Sequence, residues 1–209
     1  MDPLAIAMII ALIISVVIHE MAHGFTADWL GDPTARLAGR LSPNPIVHLD
    51  PIMSVLLPGL LLATGSPILF GAAKPVPYNP YNFSNQRWGE AMVAAAGPLS
   101  NIVIALVFVG LIYLNEALGF SAAFVELAYM VVILNFFLAV FNLVPIPPLD
   151  GSKILPKFLP FSWAMRYNEM RAWLEHNIGL AFLIIVLLFT VVLLQPLYLF
   201  VAWLTGLLL

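Results

Sequence analysis

The chain has 209 residues, of which 62% are hydrophobic and only 9% charged, with a formal net charge of −3. A soluble domain carries roughly 25% charged residues, so this composition excludes a water-soluble enzyme and a disordered chain. The absence of any basic run excludes a nucleic-acid binder. With no cysteine there are no disulfides and no thiolate metal sites, and a metal must be held by His, Asp or Glu.

What remains is an all-α polytopic membrane protein, read as one domain embedded in the lipid bilayer over residues 1–209. Its uncharged stretches, in chain order, are Pro3–Ile18, Pro51–Ala73, Ala91–Asn115, Leu127–Leu149 and Asn177–Leu209. A spanning helix needs about 20 mostly apolar residues. The first stretch runs on into His19 and Glu20. It has no positive leading segment and no small-residue cleavage site, and reads as a retained helix, not a signal peptide. The second contains Pro51, Pro58, Gly59, Gly65, Pro67 and Gly71. So many helix breakers argue for a re-entrant or membrane-dipping segment. Its flanks, Leu37–Asp50 and Lys74–Phe83, are rich in Pro and Asn and read as extended or turn structure with room for short β-hairpins. The last stretch is interrupted by Gln195 and Pro196, which predicts one span near Ile178–Leu194 and a short interfacial or partly inserted helix over Leu197–Leu209. About four main spans result.

Basic residues decide the topology. They fall at Arg36, Arg40, Lys74, Arg87, Lys153, Lys157, Arg166 and Arg171. If Pro51–Ala73 does not span, all eight lie on one face. The positive-inside rule favours that arrangement, with the basic face cytoplasmic and the N-terminus outside.

The chemistry-bearing residues begin at the end of the first stretch. His19-Glu20-Met21-Ala22-His23 is an H-E-x-x-H motif. On a helix, positions i and i+4 lie about 40° apart, so the two histidines share a face and can bind one metal, with Glu20 available as general base. Zinc is the usual metal for such a pair, and it lowers the pKa of its bound water to about 7. A chance match on a surface cap outside the bilayer is the bland reading. Against it, ionisable groups following directly on an apolar membrane run are costly and mark function.

A catalytic zinc takes three protein ligands. Asp28 lies about 180° round the helix from His19 and points away. His48 and Asp50 stand in IVHLDP. Asp150, in FNLVPIPPLDG, is the carboxylate that terminates a long apolar run. With four spans, the first and third run in the same direction, so His19 and Asp150 reach the same face; a spanning Pro51–Ala73 would separate them. Pro145, Pro147 and Pro148 should unwind the end of the third span before Asp150. Asn135 and Asn142 are seven residues apart on one helix face, where interhelical hydrogen bonding is the ordinary role. Asn142, beside the proline kink, reads equally as a substrate or oxyanion contact.

HEMAH on a first hydrophobic helix, followed by NLVPIPPLDG, resembles the site-2 protease family of intramembrane zinc metalloproteases. IVHLDP, GAAKPVPYNP and AAGPLSN also resemble blocks of its compact members. The resemblance covers most of the chain and implies Zn2+ held by His19, His23 and Asp150, catalysis by Glu20, and Asn142 near the substrate. It further implies an active site within the cell membrane near its cytoplasmic face. The expected substrate is a single-span membrane protein. No PDZ-sized insertion lies between the two motifs, and the expectation is a compact form with no hydrophobic helix before the HEMAH helix. His48 reads as hydrogen-bonded and structural ahead of a place near the metal, Lys74 as an interfacial anchor, and Asn101 as a packing or capping residue ahead of a site role. The rival classes are a metal or proton transporter, which would usually show repeated halves, and an inactive zinc-binding scaffold.

Overall fold

The computed structural model describes residues 3–51 and 73–209. Helix α1 (Pro3–Trp29) starts on a proline, whose missing N–H costs nothing in a first turn. It stops before Gly31, which turns the chain at φ +101°. Helix α2 is Gly89–Tyr113 and α3 is Ala122–Asn142. The Ser121 hydroxyl caps α3 by accepting from the Phe124 amide at 3.2 Å. Helix α3 ends before Pro145, and an irregular run leads from there to the single turn Gly151–Ile154. Helix α4 is Phe161–His176; α5 (Ile178–Leu188) passes through a π-turn (Phe189–Leu193) into α6 (Leu194–Leu208).

Four helical runs among the described residues are long and apolar enough to cross a membrane: α1, α2, α3 and the α5–α6 run Gly179–Leu208. The last corrects the expected break at Gln195–Pro196: the span and the interfacial or partly inserted helix predicted after it form one continuous run. Pro196 does not break the run because it falls in the first turn of α6, just after the wide π-turn has interrupted the α ladder. A proline there lacks an N–H that would have had no α-helical partner. At 1.5 Å per residue the 30 residues extend about 45 Å. That is longer than a hydrocarbon core of about 30 Å, so the helix must tilt or protrude.

Helix α2 packs between α1 and α3, and α6 lies against α3. The α2–α3–α6 core is built on Ala105, Val109, Val132, Phe136 and Val201. Ala105 and Val132 are wholly buried, so the α2 and α3 backbones approach closely. The opposite side of α1 exposes Ile6, Ile9, Ile10, Ile13 and Ile14, an apolar surface suited to lipid.

The proposed re-entrant segment lies outside the described residues, but its two flanks do not. The Lys74 amide donates to the His48 carbonyl at 2.8 Å, and Arg40 donates to the Lys74 carbonyl. Buried Asp32 accepts from the Asn79 amide at 2.6 Å and the Asn82 side chain at 2.8 Å, and Ser84 N–H reaches Leu30 O at 2.7 Å. Both flanks are therefore held at the C-terminal end of α1. The short β-hairpins expected in them are not found: among the described residues there is no strand. Leu37–Asp50 and Lys74–Phe83 instead hold the 3-10 turns Pro45–His48 and Pro80–Asn82, each capped by the side chain of the preceding Asn44 or Asn79. The cause is chemical. Pro43, Pro45, Pro75, Pro77 and Pro80 lack the N–H that a ladder requires.

Candidate metal centre

Positions i and i+4 on α1 bring His19 and His23 to one buried face, with their Nε2 atoms 3.1 Å apart. The unwound stretch after α3 delivers Asp150 to the same point. Its Oδ2 lies 3.2 Å from His19 Nε2 and 3.3 Å from His23 Nε2. The delivery depends on Gly151, where a Cβ would overlap the Leu143 and Val144 carbonyls. These three side chains can each offer one ligand atom to a metal ion. A tetrahedral zinc with bonds of about 2.0–2.1 Å sets its donor atoms about 3.3 Å apart, so both the chemistry of two imidazoles with a carboxylate and the spacing fit Zn2+.

Helix α2 forms the wall behind the imidazoles. A Cβ at Gly97 would stand 2.5 Å from both Nε2 atoms, so glycine there is a condition for the pair. His23 Nδ1–H donates to the Val93 carbonyl at 2.7 Å. Pro98, inside α2, lacks the N–H that would pair with the carbonyl of Ala94, a residue of the site wall. His19 Nδ1 meets Asn101 Oδ1 at 2.6 Å.

The donors open onto a cavity of about 360 Å3 also lined by Glu20, Asn142, Tyr78 and Lys153. The Glu20 carboxylate accepts from the Val76 amide at 3.0 Å. Val76 stands between Pro75 and Pro77, so it supplies the one backbone N–H of that tripeptide, and the prolines stiffen its delivery. Lys153 Nζ sits 5.2 Å from the centre of the Tyr78 ring. Burial pulls the Lys153 ammonium down, but Tyr78 and Asp150 outweigh it and hold its pKa above the ordinary lysine value. Burial raises the Tyr78 phenol, with Lys153 opposing.

Of the site residues expected from the sequence, His19, His23 and Asp150 meet, and Glu20 and Asn142 line the same cavity. The Asn142 amide donates to Leu138 O at 2.9 Å on its own helix. His48 is outside the donor set; its Nε2–H donates to Ser42 O at 2.9 Å and fixes the loop, in line with the structural reading. Asp28 points away and pairs with Arg36. Asn101 does more than pack, because it touches the first histidine. The signal for it in the sequence is the block Gly97-Pro98-Leu99-Ser100-Asn101, a close-approach glycine and a helix-loosening proline one turn before a buried amide.

A buried pair of histidines with a carboxylate among membrane-length helices, and a glutamate beside the first histidine, make a candidate metal centre in a multi-pass membrane protein. The sequence matches Peptidase family M50 over residues 7–126 and 112–188, and the chain belongs to that family. Among its relatives, "putative zinc metalloprotease YwhC" of Bacillus subtilis (strain 168) is 36% identical over 159 residues, covering 73% of this chain and 69% of the relative. The similarly named Rip2 of Mycolicibacterium smegmatis is 31% identical, covering 68% of this chain and 52% of the relative. MJ0611 of Methanocaldococcus jannaschii is 37% identical, covering 51% and 55%. The chain thus spans 69% of the first of these relatives and about half of the other two. No solved structure is significantly similar.

Proposed function

We propose that the chain is an intramembrane zinc metalloprotease that hydrolyses a peptide bond within the transmembrane segment of a single-span client protein, with His19, His23 and Asp150 as the zinc ligands. The observation that carries this reading is the convergence of those three donor atoms within 3.3 Å, on a cavity that Glu20 also lines. Zinc, when bound, supplies a Lewis acid that polarises the scissile carbonyl and makes water a nucleophile near neutral pH. Glu20, oriented by the Val76 N–H, takes the proton of the attacking water on its carboxylate and hands it to the leaving nitrogen. Asn142, on the cavity wall, is the side-chain amide available to the substrate backbone. The apolar remainder of the cavity holds the substrate chain and limits water.

Pairing of an unwound substrate with the extended segment Lys74–Asn79 would have to run through carbonyl acceptors and the Tyr78 amide. The Lys74, Val76 and Asn79 amides are already bonded, and Pro75 and Pro77 have none. The basic residues support a cytoplasmic active-site face: four precede α2, four lie between α3 and α5, and none falls between α2 and α3. A transporter would not need Glu20 beside a ligand, and family membership favours the protease.

The test is cleavage of a panel of single-span substrates in proteoliposomes by wild type and Glu20→Gln. The expected outcome is retained zinc with a rate loss of about 10²–10⁴. Cleavage at the wild-type rate by Glu20→Gln would falsify the proposal.

A further inference from the structure

Two asparagines run from the candidate metal centre into the centre of the helix bundle. Asn101 on α2 and Asn135 on α3 are both completely buried. Asn101 Oδ1 lies 2.6 Å from His19 Nδ1. Asn101 Nδ2 donates to Asn135 Oδ1 at 2.9 Å, and Asn135 Nδ2 donates to the Val131 carbonyl at 3.0 Å. A buried amide without partners is costly, so a chain of this kind is stable only when each member is satisfied.

The direction of every bond in the chain is fixed from its far end. A backbone carbonyl only accepts, so the Asn135 NH2 must face Val131. That leaves the Asn135 oxygen towards Asn101, which must then donate. Its own oxygen is left facing His19, so His19 Nδ1 carries the proton and Nε2 carries the lone pair. His23 reaches the same state by a shorter route, donating from Nδ1 directly to Val93 O. Both Nε2 lone pairs then converge on the Asp150 carboxylate at 3.2–3.3 Å.

We infer that Asn101 and Asn135 form a positioning relay that holds His19 as the Nδ1–H tautomer with its Nε2 lone pair turned to the metal, anchored on the Val131 carbonyl of α3. The inference rests on His19, His23 and Asp150 being the zinc ligands. It assigns the two residues a metal-binding role that helix packing alone does not require. Their order is also fixed: Asn101 acts on His19 directly, and Asn135 acts only by orienting Asn101.

The test is zinc affinity of the purified full chain in detergent, by chelator competition, alongside thermal unfolding. Asn101→Leu should bind zinc about 10–100-fold more weakly. Asn135→Leu should show a smaller loss, and the double variant should match Asn101→Leu, because the second residue acts through the first. Asn101→Asp, which keeps the acceptor towards His19 Nδ1, should recover most of the affinity; it also serves if Asn101→Leu does not accumulate. Val132→Ala, in the same α2–α3 interface but off the relay, should lower the melting temperature and leave zinc affinity within about twofold.

Unchanged zinc affinity in Asn101→Leu, with a melting loss like that of Val132→Ala, reduces the pair to helix packing and overturns the relay. So does equal, additive weakening by the two leucine variants. A wild type that binds no zinc overturns the ligand assignment and the relay together, which separates the two failures.

Discussion

Two buried aspartates in this molecule face opposite surroundings. Asp32, just past the end of α1, looks at donors: the Thr34 amide and hydroxyl, the Asn79 amide and the Asn82 side chain, at 2.6–3.3 Å. Asp150, after α3, looks at two imidazole nitrogens, one of which has its ring's proton on the far side, at Val93. Asp32 is satisfied by its own chain, and its charge serves to tie two loops together. Asp150 sets an anion against electron pairs, an arrangement that calls for a cation. Burial does not separate these two carboxylates; the direction of the neighbouring hydrogen bonds does. Glu20 is intermediate, half-buried and held by one backbone amide, which leaves carboxylate capacity for a proton in transit.

The sharpest way to break this contrast is Asp150→Asn, which keeps the side-chain size and removes the charge. It should lower zinc affinity by more than about 100-fold, beyond the effect of a residue that only supports a ligand. Metal analysis of the purified protein measures it, and stoichiometric zinc would remove Asp150 from the donor set. Gly97→Ala tests the same centre from behind. The added Cβ must displace the imidazoles, and a misplacement of about 1 Å costs on the order of 10² in rate. Proteolysis at full rate would show that the imidazole pair tolerates a wider wall.

Val76→Pro removes the single N–H on Glu20 within an already proline-rich tripeptide. A loss of about tenfold in kcat is expected, the size of one hydrogen bond to a charged group, with zinc content unchanged. Asp32→Asn should leave zinc and cleavage untouched and cost about 1–3 kcal/mol of stability, since an amide turns donors towards donors. Burial raises the Asp32 pKa, but its bonds from Thr34, Asn79 and Asn82 outweigh burial and hold it below the ordinary value. Its contribution is therefore complete above the unfolded pKa of about 3.9 and is lost as pH falls through the lower folded value. Wild type should lose melting temperature more steeply than Asp32→Asn in that acidic window; parallel curves would mean Asp32 is not the linked group.

Much of this is legible in the sequence because membrane insertion and helix geometry are local. Apolar length marks the spans, and three prolines before Asp150 mark where α3 must end. The five letters of HEMAH suffice to put two histidines on one face. The tail is an exception. Pro196 reads as a break in the sequence, whereas the π-turn just before it moves it to a position where the missing N–H costs nothing. The flanks are another. Their composition suits extended chain, but extended chain pairs into hairpins only where N–H donors are present, and the prolines remove them.

By itself the sequence determined a polytopic helical protein, a pair of histidines on one face of its first helix, and where along the chain the basic residues fall. All of these follow from periods of a few residues and from the cost of charge in hydrocarbon. Only the tertiary structure decided that Asp150 meets the two histidines, that Gly97 walls them, and that Asn101 and Asn135 stand behind His19. Those relations join residues at least 34 positions apart in the chain. They exist because α2 packs between α1 and α3 closely enough for a histidine and two amides on three helices to touch.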